Sequence, residues 1–316
     1  MSENKNGQNE ERAEDYVEID DGVTSTGPLP SAEVDLATAS LIPVARMSRD
    51  VAASGALLNA DGARFLVDTY YQLQRARIGA EHQLRQLRAE GSPTQAQEWL
   101  VAQFKVMEQQ AKRPLASYTA IDPVGAWSRS ICGIGEVLAA GLLAHINVKM
   151  LVEERNIHNV GAIWRFAGLD PTVQWNKGER RPWNADLKTL CWKISQSFQK
   201  TKGNKSSFYG PLLDQYKAKL VERNEAGEFA EAAAASAKRV GKTTATYKHN
   251  IEGRLSPDHV NNRALRWVVK LFLSHWHHRA YEALTGNAPP QPYAISVLGH
   301  GDIIEPPPWP EGIKAA

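Results

Sequence analysis

The sequence predicts an all-α protein, and three observations carry that class. Apolar residues recur at helical spacing in several long stretches, and no stretch alternates with the two-residue period of a strand. The run Ile131-Cys132-Gly133-Ile134-Gly135-Glu136 leads into a small-residue-rich apolar helix, the pattern of a helix-hairpin-helix element. With 42% hydrophobic residues in 316, the chain can supply a real core.

Residues 1–30 hold eight Asp/Glu against two Lys/Arg and end in Gly27-Pro28-Leu29-Pro30. Such a segment buries too little apolar surface to offset its ordering entropy, so residues 1–60 are expected to be a mostly disordered acidic tail. From 61 to 91, Phe65, Leu66, Tyr70, Leu73, Ile78, Leu84 and Leu87 repeat at helical spacing between arginines. Gly91-Ser92-Pro93-Thr94 stops that helix and opens a second near Gln95, carrying Trp99, Leu100, Phe104 and Met107. Together they form a helical arm over 61–113, which either pairs with a second copy in a homodimer or packs internally.

The hairpin domain is expected over 114–286. Two glycines at 133 and 135 allow a tight turn, and the helix that follows offers unpaired amides at its positive end. Ile131 and Ile134 would anchor the turn in a core, and Ala139, Ala140, Gly141 and Ala144 would let the preceding helix approach closely. The turn is either a phosphate cradle or the corner of an αα-hairpin. A short helix begins at Asn159 and stops at Gly168; Asn184 caps another whose inner face is Leu187, Leu190, Cys191, Ile194 and Phe198. A further helix runs through Tyr209, Leu212, Leu213, Tyr216 and Leu220. Residues 259–284 form the last, with Leu265, Val268, Val269, Phe272, Leu273 and Trp276 inward. Seven prolines in the thirty residues after Gly286 make a Pro-rich tail, 287–316.

Charge narrows the function. The formal net charge of +2 hides an asymmetry, because residues 176–220 hold ten Lys/Arg against three Asp/Glu. An acidic tail on a basic body points to a nucleic-acid-facing surface. Lys177, Arg180, Arg181 and Lys188 interleave with Trp175, Trp183 and Trp192, so cations would meet phosphates while an exposed indole stacks on an unpaired base. Trp192, on an apolar helix face, reads instead as core. Arg263, Arg266 and Lys270 share one face of the last helix, and Arg279 extends the basic surface. His275-Trp276-His277-His278 lacks acid or cysteine at a zinc spacing and reads as a partly solvated helix end rather than a metal site. Asp186 reads as a first-turn acid that suits the helix dipole. Two cysteines in apolar helical contexts exclude a disulfide framework, and no apolar run reaches membrane-spanning length. No cofactor, metal or membrane partner is expected, and the cytoplasm is the expected compartment.

The segment from Ile131 to Phe198 resembles the C-terminal domain of transposases of the insertion sequence 110/116/902 family. The similarity begins at Gly133-Ile134-Gly135 with its Ala/Leu helix and continues in Trp164-Arg165-Phe166-Ala167-Gly168-Leu169-Asp170-Pro171. It then covers Lys177-Gly178-Glu179-Arg180-Arg181 and Asn184-Ala185-Asp186-Leu187-Lys188, about a third of the chain with the last helix. The resemblance implies a transposase-like DNA-binding domain at 114–286 and a part in DNA transposition or recombination. Two departures bear on catalysis. The family opens with a strand-rich, resolvase-like domain whose four acidic residues hold magnesium; residues 1–115 show neither strands nor such a set, and Glu10, Glu11, Glu14 and Asp15 lie in the tail. The family's nucleophilic serine would fall near Asn176, and no serine occurs between Ser130 and Ser195. An amide cannot form the phosphodiester intermediate of a hydroxyl.

The expectation is therefore a DNA-binding protein without a complete catalytic site. Contacts are expected at Gly133, Ile134, Gly135, Lys177, Arg180, Arg181, Lys188, Arg263 and Arg266, with RNA as a variant partner. An active recombinase and a nucleic-acid-independent scaffold are the alternatives.

Overall fold

The computed structural model describes residues 46–290 and 303–313, whose regular structure is helical, with no strand among them. The helices are α1 (Arg49–Ala53), α2 (Ala60–Ala89), α3 (Gln95–Ala120), α4 (Pro123–Ser130), α5 (Glu136–His145), α6 (Gly161–Phe166), α7 (Ala185–Lys200), α8 (Tyr209–Glu225), α9 (Ala230–Ala237), α10 (Ala245–Ile251) and α11 (Pro257–Thr285). A 3₁₀ turn spans Ser54–Leu57 and a π-helical turn spans Met150–Glu154. Caps set several boundaries as the sequence predicts. Asn184 accepts from the Leu187 amide at 2.8 Å, and α11 opens on Ser256-Pro257 and ends before Gly286 at φ 72°.

The expected tail reaches less far than residue 60. Residues 1–45 lie outside the described ones, but α1 and the 3₁₀ turn pack on α3. The Met47 amide donates to Gln110 Oε1 at 3.0 Å, and Arg113 binds the Met47 carbonyl. Gly55 makes this approach possible, because a Cβ there would stand 2.1 Å from the Pro114 carbonyl oxygen.

The expected boundary at 113/114 falls inside a helix. Pro114 sits within α3, which continues to Ala120. The arm is not a separate unit at its base, where Val67, Tyr70, Ala111 and Leu115 share a core with Val137 and Ala140 of α5. Gln103, Glu108, Ala111 and Leu115 of α3 are buried, while Trp99, Leu100 and Met107 are exposed, as is Phe65 of α2. The nearly buried Glu108 takes Arg77 of α2 at 2.6 Å, and Glu81 shares that guanidinium at 2.9 Å.

The main core joins α4 to α11. Trp127 of α4 stacks on Phe272 of α11, and Phe198 of α7 and Tyr209 of α8 close around that pair. The predicted inner faces of α7 and α11 are all buried. Gly141 permits a close approach of α7, a Cβ there meeting Leu190 at 2.8 Å, and α4 packs on the same helix, a Cβ at Gly125 meeting Leu143 at 3.0 Å. The Pro-rich segment 303–313 has no regular secondary structure beyond a turn, yet it is docked. Trp127 Nε1 and Arg279 donate to the Pro307 carbonyl at 3.0 and 2.8 Å, and Trp309 Nε1 donates to Glu282 at 3.0 Å.

Candidate nucleic-acid interface

The Gly133 turn joins α4 to α5. Ile131 and Ile134 are buried beneath it, and the Ile134 amide closes it on the Ile131 carbonyl at 2.9 Å. Its two glycines have different reasons to be glycine. Gly133 has φ 97°, its carbonyl accepts from Ser197 Oγ at 2.5 Å, and a Cβ would meet Thr201 Oγ1 at 3.0 Å. Gly135 is exposed, has φ −92°, and a Cβ there would meet nothing within 4 Å. The fold requires the first glycine and not the second. Gly135 is also the N-cap of α5, whose first amides receive no side-chain cap.

The basic segment forms around the other end of α7. Gly168, at φ 65°, ends α6 and lets Trp183 settle against it, since a Cβ there would lie 2.8 Å from the indole. The Asn184 amide donates to the Phe166 carbonyl at 2.9 Å, tying the α6 end to the α7 start. Trp175 and Trp183 meet edge to face at 6.4 Å. Arg181 lies over Trp175 at 5.4 Å and Lys188 over Trp183 at 4.5 Å. Trp175 Nε1 donates to the Glu179 carbonyl at 2.8 Å, which closes the loop. Phe166, Arg180, Arg181, Pro182, Trp183 and Asn184 line an open cleft of about 490 Å³. Lys177, Arg180 and Arg181 are exposed, and among the described residues no carboxylate pairs with them.

Phe166 is the member that the sequence does not single out, since it falls at the end of the short helix that stops at Gly168. The available signal was Gly168, which places Phe166 in a last turn that opens outward. Trp192, expected in the core, is 45% exposed: α7 turns Leu190, Cys191 and Ile194 inward and leaves it outside.

The α11 face is built differently. Arg263 lies over Phe229 at 4.6 Å, with Arg223 on the same ring at 5.2 Å. Burial, helped by Arg266, holds the Arg263 guanidinium below its usual range, and burial lowers His259 beside both arginines. Arg266 is exposed. Lys270 lies over Trp164 at 4.4 Å while its carbonyl accepts from Trp164 Nε1 at 3.1 Å, joining α6 to α11. Burial lowers Lys270, opposed by the nearby Asp170. Arg279 does not extend this surface, because Glu282 and the carbonyls of Pro306 and Pro307 hold it.

The expected contact residues therefore fall into groups. Arg180, Arg181 and Lys188 come together with the tryptophans, while the hairpin turn sits on Ser197 and Thr201 near the other end of α7. From Lys188 to Ser197 is about 14 Å along a helix axis.

Two further expectations change. His275 and His277 are buried, not partly solvated, because α11 turns them into the core. Tyr209 OH donates to His275 Nδ1 at 2.8 Å and His275 Nε2–H donates to the Ile304 carbonyl at 2.7 Å, fixing a neutral ring. Burial lowers both histidines to about 4. Asp186 has company beyond the helix end: burial and its charge raise Asp68, and burial lowers His145, whose Nδ1 has no partner. No group of three metal-ligating side chains occurs among the described residues, and no described helix is long and apolar enough to cross a membrane. No protein-family model matches the chain, and no curated protein or solved structure is significantly similar to it.

Proposed function

We propose that this chain is a DNA-binding protein that grips phosphates and lacks strand-transfer chemistry of its own. In this reading it serves transposition or recombination, as its resemblance to insertion sequence 110/116/902 transposases suggests. The single observation that carries the reading is the exposed set Lys177, Arg180 and Arg181 around the Trp175–Trp183 pair, with no carboxylate paired to it among the described residues. Uncompensated cations on a rigid mount suit phosphates, and such contacts hold a nucleic acid without reading its sequence. Gly135 adds support: a bare residue where the fold needs none lets a backbone come close to α5's amide end. The cleft residues offer no hydroxyl, thiol or carboxylate to attack a phosphodiester.

The test is fluorescence anisotropy of the full chain on labelled duplex and four-way-junction DNA across a salt series. Arg180→Ala with Arg181→Ala should weaken binding and reduce the slope of log affinity against log salt by about 2. An unchanged slope in a folded double variant would sink the assignment of these two residues. No binding to either substrate by the unmodified chain would favour an interaction scaffold.

A further inference from the structure

We infer that the cleft between Phe166 and Trp183 receives an unpaired nucleobase, so that the DNA held here is single-stranded or locally opened. The inference rests on the DNA-binding reading and names the form of DNA that the site takes.

The aromatic rings at the site are not equivalent. Trp175 and Trp183 lean on each other, and each carries a cation, Arg181 on one and Lys188 on the other. Phe166 lines the same cleft, is 43% exposed, and has no ring or cation stacked on it among the described residues. The cleft therefore presents one apolar ring and two guanidiniums to whatever guest enters it. That guest must be flat and apolar toward Phe166 and anionic toward Arg180 and Arg181. An apolar helix would desolvate the arginines with nothing in return. An acidic peptide would meet the arginines and leave the ring unstacked. A nucleotide of an open strand meets both demands, its base on Phe166 and its phosphates on the cations.

The mount is rigid enough to hold this geometry. Gly168 and the Asn184–Phe166 backbone bond fix the α6 end against the α7 start, and the Trp164–Lys270 contacts fix α6 on α11. A stacking ring on a fixed helix end loses little freedom when the base arrives.

The experiment compares three labelled probes on the full chain at fixed salt: a single strand of thymidines, a strand of the same length built of abasic sites, and a blunt duplex. The abasic strand keeps the phosphates and removes every base. The thymidine strand should bind roughly five- to a hundredfold more tightly than the abasic one. Phe166→Ala should erase that difference, and Phe166→Tyr, which keeps the ring, should restore it. Phe166 lies at the surface, so circular dichroism should report an unchanged fold. Equal affinity for thymidine and abasic strands would overturn the base-stacking inference while leaving phosphate binding intact. Competition by poly-glutamate as effective as that of the thymidine strand would overturn it in favour of an acidic protein partner. Failure to bind any of the three probes would overturn the DNA-binding reading as well.

Discussion

Gly133 and Gly135 look alike in the sequence, two residues apart in one turn, and the structure gives them opposite consequences. Gly133→Ala forces a side chain onto φ 97° and against Ser197 and Thr201. It should destabilise the protein by about 1–3 kcal/mol, read from the denaturation midpoint. Gly135→Ala should leave the midpoint within about 0.5 kcal/mol, since its Cβ enters open space. Any loss of DNA affinity in Gly135→Ala would then report on the ligand rather than on the fold. The difference was not legible in the sequence, because it depends on two oxygens more than sixty positions away. Buried histidines give the second residue-scale prediction. His275 and His277 fall from the ordinary 6.5 to about 4 on folding, so between those values the unfolded chain binds more protons. Their contribution to stability should be complete above about pH 6.5 and decline as the pH falls from there toward 4, by up to about 3 kcal/mol per histidine. His145, His259 and His278 shift in the same direction, and among the described residues the raised Asp68 opposes them. Urea midpoints at pH 7.5 and 5 check this, and equal midpoints would contradict neutral, buried imidazoles.

At the scale of elements, segment 303–313 has tertiary contacts with no regular secondary structure beyond a turn. It satisfies Trp127, Arg279 and His275 at once, and removing it leaves buried donors without acceptors. A chain truncated after residue 302 should lose roughly 2–4 kcal/mol and melt several degrees lower. The arm teaches a complementary lesson. Trp99, Leu100 and Met107 of α3 stay exposed, while that helix buries Gln103 and Glu108, the latter paired with Arg77 of α2. Hydropathy cannot anticipate a polar seam when the compensating charge lies on another helix. Glu108→Ala should cost about 1–3 kcal/mol, below the usual figure for breaking a buried pair because Glu81 remains on Arg77. By contrast, the α7 and α11 faces were legible residue by residue, since each packs a plain apolar stripe on a large core.

For the whole molecule, the helical class and most helix ends could be read locally, because periodicity, N-caps and stop glycines all act within a few residues of each other. The assembly of the candidate interface could not. Sequence proximity placed the Gly133 turn and the basic segment on one surface, whereas α7 lies between them, with Gly168 and Trp183 at one end and Ser197 and Thr201 near the other. Phe166 likewise acquires its meaning only from residues that follow it by more than a dozen positions. The rigid rod of α7 therefore acts as a ruler. Lys188 and Ser197 stand about 14 Å apart along it, so a DNA strand that touched both ends would cover roughly four nucleotides at 3.4 Å each. Oligonucleotides shorter than that can satisfy one anchor at a time, and the length at which affinity first rises would measure the footprint that this helix sets.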